Sequence, residues 1–190
     1  LSPEDVDKAE TQIKNSSVFL TNLEVPVATM QRGLELAKKH KVKTIFNPAP
    51  AVDFPDTVYP LCDFFTPNET EAAELAGVPV TNIDEAQKAA KIFKDKGVQT
   101  SLITLGEMGC YFLNDDGEGH VPAFDMTGKV IETTGAGDGF NGGFASALAD
   151  GKSLDAAILY GSATAAISVT RLGTAPAMPI KKEIEQLLKQ

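Results

Sequence analysis

Apolar and polar positions along the chain follow two alternating periodicities, which predict strands and helices in turn. Short β-branched or aromatic runs at 18–23, 44–46, 63–66 and 100–104 have the character of buried strands. Between the first two runs, apolar residues recur at helical spacing: Val27, Met30, Leu34 and Ala37. Such alternation with short links predicts a mainly parallel sheet covered by helices on both faces. We therefore expect an α/β fold in which residues 1–190 form a single domain.

The predicted helices begin and end at residues that favour helix termini. Ser2 followed by Pro3 and two acids predicts a helix start, whereas Gly77 and Gly97 predict helix ends. The segment 47–60 contains four prolines, so we expect a loop there with at most a short turn.

In the second half of the chain, residues 109–113 and 120–123 are predicted to form a hairpin. Residues 129–133 are rich in β-branched side chains and predict one more strand. The next helix has an apolar face made of residues spaced by four, seven and eight positions: Phe140, Phe144, Ala147 and Leu148.

Two further helices are predicted near the end of the sequence. Ser153 caps the first, which extends to Val169 and is rich in small residues that permit close packing. The second is a surface helix within 179–190, with four apolar side chains turned inward: Ile180, Ile184, Leu187 and Leu188.

Composition narrows the classes of function. A net charge of −9 argues against nucleic-acid binding, which needs a basic surface. No apolar run is long enough to span a membrane, and the acidic start is unlike a secretory signal, so we expect a cytoplasmic protein.

Cys62 and Cys110 are far apart in sequence and predict two reduced, buried thiols. His40 and His120 are too scattered for a zinc site.

The stretch 132–140 joins the predicted strand to the predicted helix through a glycine-rich turn. The first N–H groups of a helix lack intrahelical partners and can hold a phosphate, and Gly135, Ala136 and Gly137 leave space for one. Asp138 repels an anion, so it fits better as the group that takes a proton from an attacking hydroxyl. The alternative is an ordinary capping turn with Thr134 or Asp138 as N-cap.

Three other turns follow predicted strands, where open α/β sheets bind ligands. Asn68 and Glu71 lie on one first helical turn and can orient the waters of Mg²⁺, or simply form a capping box. The glycines of 106–109 allow a flat or phosphorylated ligand to approach, or make a tight turn. Glu24 is an isolated carboxylate that binds a ligand or a surface cation.

The sequence has neither a Gly-x-x-x-x-Gly-Lys-Ser/Thr loop nor a Gly-x-Gly-x-x-Gly motif after its first strand.

Four motifs, in order along nearly the whole chain, resemble those of the ribokinase-like (PfkB) carbohydrate kinases. They are Asn47-Pro48-Ala49-Pro50-Ala51, the stretch from Thr66 to Ala72, the stretch from Ile103 to Gly109, and Thr133-Thr134-Gly135-Ala136-Gly137-Asp138-Gly139-Phe140. Together they are far more specific than one glycine-rich loop. The resemblance implies a three-layer α/β/α sandwich with a mainly parallel sheet.

The same resemblance implies a reaction and the roles of several residues. The γ-phosphoryl group of ATP is transferred to a primary sugar hydroxyl, with D-ribose as the first expectation and fructose or a nucleoside as the second. Asp138 is the base and a sugar contact, residues 135–137 form the anion hole, and Glu24 binds sugar hydroxyls. Asn68 and Glu71 organise Mg²⁺ through water. The expected nucleotide contacts are Asn68, Thr104, Leu105, Gly106, Glu107, Met108, Gly109, Gly137 and Ser162.

Two departures from the family pattern qualify these expectations. Glu132 replaces an aspartate, and Ala177 lies near a position often occupied by serine; both belong to a monovalent-cation site in the family. We expect that site to include Glu132, Thr134, Ser168, Arg171 and Gly173, with weaker activation by K⁺ than ribokinases show. The second departure is length, since the family's N-terminal strands, lid and further sugar contacts have no counterpart in these residues.

The alternatives are a non-catalytic nucleotide-binding module and a pyridoxal or hydroxymethylpyrimidine kinase of the same fold. The residues around Asn68 disfavour the latter. We expect the intact protein to be a homodimer.

Overall fold

A computed structural model describes residues 1–189, which divide into two compact units. The first unit contains residues 1–105 and 111–120, and the second contains residues 106–110 and the chain from Val121 onward. Each unit is described by itself below. Within residues 1–189, no helix combines the length and hydropathy that a bilayer span requires.

The first unit contains a sheet flanked by helices. Its helices are α1 (Pro3–Lys8), α2 (Glu10–Lys14), α3 (Val27–Lys39), α4 (Glu69–Ala76) and α5 (Ile83–Asp95), with a 3₁₀ helix at Asp56–Leu61. The strands are β1 (Val18–Thr21), β2 (Lys43–Phe46), β3 (Phe64–Phe65), β4 (Thr100–Thr104), β5 (Cys110–Leu113) and β6 (Glu118–Val121). They are ordered β1-β2-β3-β4-β5-β6, and β1 to β4 are parallel. The predicted α/β fold with a mainly parallel sheet is therefore confirmed.

Local residues explain where the helices of the first unit begin and end. The Asn82 side chain caps α5 by accepting a hydrogen bond from Glu85 N–H at 3.0 Å. Gly77 ends α4 in the left-handed conformation, with φ at 67°. The segment 47–55 contains no helix or strand, and the 3₁₀ helix follows it, as the prolines predicted.

An aromatic cluster fills the core of the first unit. The rings of Phe65 and Phe93 have centroids 5.0 Å apart, and the Tyr59 ring lies 5.5 Å from that of Phe65. Neither cysteine forms a disulfide and both are buried, as predicted, and burial raises the pKa of both thiols, that of Cys110 to about 12. These thiols therefore serve packing and not chemistry.

The second unit is mainly helical. It contains α6 (Ala136–Ala149), α7 (Leu154–Ser168) and α8 (Lys181–Leu187), with short 3₁₀ helices at Gly106–Met108 and Ala175–Ala177. A Cβ atom added to Gly161 would lie 2.8 Å from the carbonyl oxygen of Phe140. The backbones of α6 and α7 therefore approach more closely than a larger residue allows, which confirms the predicted close packing.

Two predictions about the second unit are wrong. Residues 130–133 form no strand; instead the N–H groups of Ile131 and Glu132 both donate to the carbonyl of Val169, at 2.8 and 3.2 Å. A β-branched run becomes a strand only where a sheet edge is available, and Ile131 is 60% exposed here. In the last helix only Ile184 is buried, whereas Ile180 and Leu188 are exposed.

Candidate active site

Helix α6 begins at a glycine and not at a capping side chain. Gly135 is the N-cap, with φ at 80° and ψ at 3°, and no side chain accepts a hydrogen bond there. This left-handed conformation favours glycine because other residues have a Cβ atom that clashes. The Cβ of any replacement would also lie 3.3 Å from the side chain of Thr174. The alternative interpretation, in which Thr134 or Asp138 caps this helix, is therefore wrong.

The start of α6 leaves two backbone donors open. Ala136 N–H donates to Thr133 O at 3.1 Å, and Gly139 N–H donates to Gly135 O at 2.8 Å. Within residues 1–189, the N–H groups of Gly137 and Asp138 have no acceptor. A Cβ atom added to Gly137 would meet nothing within 4 Å, so the space outside these donors is open. Two unpaired N–H groups at the positive end of a helix are suited to hold an anion.

Asp138 lies in the first turn of α6 and is exposed. It forms part of the wall of a groove of about 550 Å³, whose other lining residues include Gly139, Tyr160, Thr174 and Lys181. Grooves of a few hundred Å³ can hold a small molecule. The carboxylate of Asp138 is therefore accessible to a hydroxyl in this groove and close in sequence to the two open donors.

Asn68 and Glu71 form the start of α4 in the first unit. Asn68 Oδ1 accepts from Glu71 N–H, and Glu71 Oε2 accepts from Asn68 N–H, both at 2.9 Å. These two bonds are a capping box, so the structural alternative predicted for this pair is present. Glu71 is only 8% exposed, and burial raises the pKa of its carboxyl group. Within residues 1–189, Glu71 Oε1 has no hydrogen-bond partner and is not fully buried, so one carboxylate oxygen remains accessible to a ligand.

Thr104 lies beside Asn68. The two residues form an isolated parallel β-bridge, and Thr104 N–H donates to the carbonyl of Pro67 at 3.0 Å. The end of β4 and the start of α4 are therefore in contact, as expected for turns at the carboxyl edge of a parallel sheet.

The glycine-rich turn after β4 agrees at Gly109 with the second of its two predicted interpretations, a tight turn. Gly109 has φ at 96°, and a Cβ atom added to it would lie 2.6 Å from Ala123 N and would also clash with the carbonyl of Val121. The space that a side chain at Gly109 would occupy is therefore filled by the chain's own backbone. Leu105 is buried, whereas Glu107 and Met108 are exposed.

Glu24 lies three residues beyond the end of β1 and is exposed. Its N–H donates to Asn22 Oδ1 at 3.2 Å. Solvent reaches this carboxylate, so it has no cost of desolvation that a bound partner would need to offset.

Residues of the predicted monovalent-cation site come together in the second unit. Glu132 Oε2 accepts from Gly173 N–H at 2.8 Å, and the buried Ser168 accepts from Arg171 N–H through its carbonyl at 3.1 Å. The guanidinium of Arg171 binds Glu183. Thr134 is exposed, and the predicted nucleotide contact Ser162 lies half-buried on α7. Within residues 1–189, no group of three or more His, Cys, Asp or Glu side chains is arranged to hold a metal.

Sequence reasoning missed two residues of the groove, Thr174 and Met178. The Thr174 side chain closes the space beside Gly135, and Met178 Sδ would lie 3.2 Å from a Cβ atom added to Gly139. Both belong to the largely irregular segment between α7 and α8, where no periodicity or motif marks them. Only the packing of the second unit reveals their position.

Comparison with known proteins places the chain in a family. The family model described as pfkB family carbohydrate kinase matches residues 2–181. A ribokinase from Haemophilus influenzae is 42% identical over all of this chain and 61% of its own length, and a deoxyribokinase from Salmonella typhi is 39% identical over 99% of this chain and 61% of its own length.

Among solved structures, that of Arabidopsis thaliana ribokinase complexed with ribose and ATP matches with a TM-score of 0.92 and 27% identity, over 97% of this chain and 59% of that one. The chain thus spans about three fifths of the length of each of these three relatives. Because the family model matches residues 2–181 and a solved relative has the same fold, this chain belongs to the pfkB family of carbohydrate kinases.

Proposed function

We propose that the intact protein, including any sequence that flanks residues 1–190, transfers the γ-phosphoryl group of ATP to the primary hydroxyl of a pentose, with D-ribose as the first candidate. The observation that carries this proposal is the uncapped start of α6. There the N–H groups of Gly137 and Asp138 are open, and the Asp138 carboxylate lies in the same first turn. Family membership and the ribokinases among the relatives support the choice of reaction and sugar.

The chain's own residues fit the phosphate groups of ATP. The N–H groups of Gly137 and Asp138 would bind a phosphate oxygen, and the absence of a side chain at Gly137 admits it. Because these donors are fixed by the helix, they stabilise the negative charge on the transferred group without reorganising. Stretch 104–109 and Ser162 are the proposed contacts of the rest of the nucleotide.

Asp138 would act as the general base. As the sugar oxygen forms its bond to the γ-phosphorus, the bond from that phosphorus to the β-γ bridging oxygen breaks and ADP leaves. The proton of the sugar hydroxyl passes to the Asp138 carboxylate. Glu24 would bind sugar hydroxyls, which an exposed carboxylate in the turn after β1 allows.

The donor set of the first unit fits Mg²⁺. Glu71 has one carboxylate oxygen that the capping box does not use, and Mg²⁺ prefers oxygen ligands and retains several waters. Asn68 and Glu71 would hold such waters. When bound, the ion neutralises charge on the phosphate oxygens.

A monovalent cation is a further proposal. The carbonyl groups of Ser168, Arg171 and Gly173, with Thr134 and the carboxylate of Glu132, would hold K⁺. Since Glu132 Oε2 is already bonded to Gly173 N–H, we expect weaker activation by K⁺ than ribokinases show. Rates measured in K⁺ and in tetramethylammonium test this, and a large K⁺ effect contradicts it.

We also propose that the intact protein is a cytoplasmic homodimer.

A second candidate sugar is 2-deoxy-D-ribose. The deoxyribokinase relative is 39% identical, almost as similar as the 42% identical ribokinase, over nearly the same residues. Overall identity therefore does not separate a site that binds the 2-hydroxyl group from one that lacks this contact.

The test is a coupled assay of ADP formation by the intact protein with ribose, 2-deoxyribose and fructose, each with and without Mg²⁺. We expect ribose-dependent and Mg²⁺-dependent turnover. A higher kcat/KM for 2-deoxyribose would replace the first candidate by the second. Binding of an ATP analogue without turnover on any sugar would favour a non-catalytic nucleotide-binding module.

A further inference from the structure

Asn47 has no role in the reaction as proposed so far. It directly follows β2 and is 9% exposed, although its side chain is polar. A buried carboxamide is costly unless its groups are hydrogen-bonded, so its partners indicate what it does.

Two hydrogen bonds connect Asn47 to the ends of both neighbouring strands. Its N–H donates to the carbonyl of Thr21, at the end of β1, at 3.0 Å. Its side-chain Nδ2 donates to the carbonyl of Thr66, which follows β3, at 2.9 Å. The residue therefore bridges three adjacent turns at the carboxyl edge of the sheet.

The bond to Thr66 matters because of the residue that comes next. Pro67 has no N–H group, so the backbone between β3 and α4 has one donor fewer with which to anchor itself. On the other side, the carbonyl of Pro67 accepts from Thr104 N–H at 3.0 Å. Residues 66–68 are thus held from β2 by the Asn47 side chain and by Thr66 N–H, which donates to the Phe46 carbonyl at 2.9 Å, and from β4 by the Thr104 backbone.

The segment held in this way leads directly into the Asn68–Glu71 pair. Asn68 follows Pro67, and the capping box fixes Glu71 relative to Asn68. A shift of the Thr66 carbonyl would therefore move both side chains as one body. The capping box sets the geometry within the pair, and the Asn47 bond is the side-chain contribution to where the pair lies relative to the sheet, beside the backbone bonds of Thr66 and Thr104.

We propose that Asn47 is a positioning residue, which places the Asn68–Glu71 pair for metal-dependent phosphoryl transfer through its hydrogen bond to the Thr66 carbonyl. This role rests on the proposed function for its catalytic consequence. Asn47 itself does not touch the substrate or the metal in this proposal. Loss of its side chain leaves the Thr66 carbonyl without this partner and frees the turn.

The test compares Asn47→Ala with Thr44→Ala in the intact protein. Thr44 is a matched control because it is also a buried polar residue of β2 and also bonds to the chain that leads into β3, with its hydroxyl donating to the Leu61 carbonyl at 2.7 Å. It lies nearer the opposite end of the strand, and its loss should affect stability alone. For Asn47→Ala we expect the Mg²⁺ concentration for half-maximal rate to rise about fivefold to tenfold, with kcat at saturating Mg²⁺ within about twofold of wild type. For Thr44→Ala the Mg²⁺ concentration should stay within about twofold.

Amide hydrogen exchange gives a second measurement that needs neither activity nor metal. In Asn47→Ala, exchange at the Asn68, Glu71 and Thr104 amides should be at least about fivefold faster relative to the amide of Phe93 in α5, whereas Thr44→Ala should not change this ratio. If the wild-type protein has no kinase activity, the proposed function fails and exchange still decides whether Asn47 holds the turn. Equal effects of the two variants, or no selective effect of Asn47→Ala, would overturn the positioning role.

Discussion

The helices α4 and α6 begin in opposite ways, although both starts follow a turn and both contain a carboxylate in the first turn. In α4, the side chains of Asn68 and Glu71 bond to each other's backbone N–H groups and close the helix end. In α6, Gly135 supplies no side chain, and two N–H groups stay open. A closed start stabilises its own helix, whereas an open start keeps its donors for a ligand. The hydrogen bonding at the start of α4 is therefore complete, whereas a phosphate would complete it at the start of α6.

The largest expected effect concerns the carboxylate at the open start. Asp138→Asn in the intact protein should lower kcat about a thousandfold and leave the affinity for ATP within about threefold, because removal of a general base affects chemistry more than binding. Steady-state kinetics with ribose and calorimetry with an ATP analogue measure the two quantities.

Asp155→Asn is the matched control, since Asp155 also lies in the first turn of a helix, α7, whose start is capped by Ser153. It should leave kcat within about twofold of wild type. Unchanged turnover in Asp138→Asn would remove this residue from the role of base.

At the closed start, Glu71→Gln should raise the Mg²⁺ concentration for half-maximal rate by about tenfold, because the amide keeps the shape but loses the negative charge. Gln can still accept from Asn68 N–H, so the helix start should persist. The measurement is a titration of the rate with Mg²⁺, and circular dichroism checks the helix content. A titration that superimposes on that of wild type would leave Glu71 with a capping role only.

Backbone strain at the open start gives a stability test. Gly135→Ala should lower the free energy of unfolding by about 1–2 kcal/mol, because alanine is disfavoured at a φ of 80° and its Cβ would contact Thr174. Gly142→Ala, in the interior of the same helix where a Cβ atom meets nothing within 4 Å, should instead raise this free energy by up to about 1 kcal/mol. Urea denaturation measures both, and equal effects would contradict the assigned helix start.

The smallest expected effects compare the two candidate caps directly. Asn68→Ala should lower the free energy of unfolding by about 1 kcal/mol, since it removes the acceptor for Glu71 N–H. Thr134→Ala should change it by less than about 0.5 kcal/mol, because Thr134 does not cap α6. A loss of similar size in both variants would mean that the start of α6 is capped after all.

Several features of the fold and site follow from local sequence and were predicted from it. The start and end of α4, the end of α5, the buried strand β4 and the apolar face of α6 depend on capping residues and on periodicity within a short window. The glycine-rich turn that precedes Asp138 was also identified from its residue types, because small residues at a helix start predict an open anion site wherever the chain places them.

Other features depend on partners that are distant in sequence, and only the tertiary structure decided them. Residues 130–133 have the residue types of a strand but meet the end of α7 instead of a sheet edge, and Gly109 is required by the backbone of residues 121–123. Asn47 acquires its role only because folding brings the Thr66 carbonyl within 2.9 Å of its side chain. Sequence by itself determined elements such as α4, β4 and α6, since their capping residues and periodicity are local. The tertiary structure decided which polar groups are paired and which stay open, since a hydrogen bond requires two groups that only packing brings together.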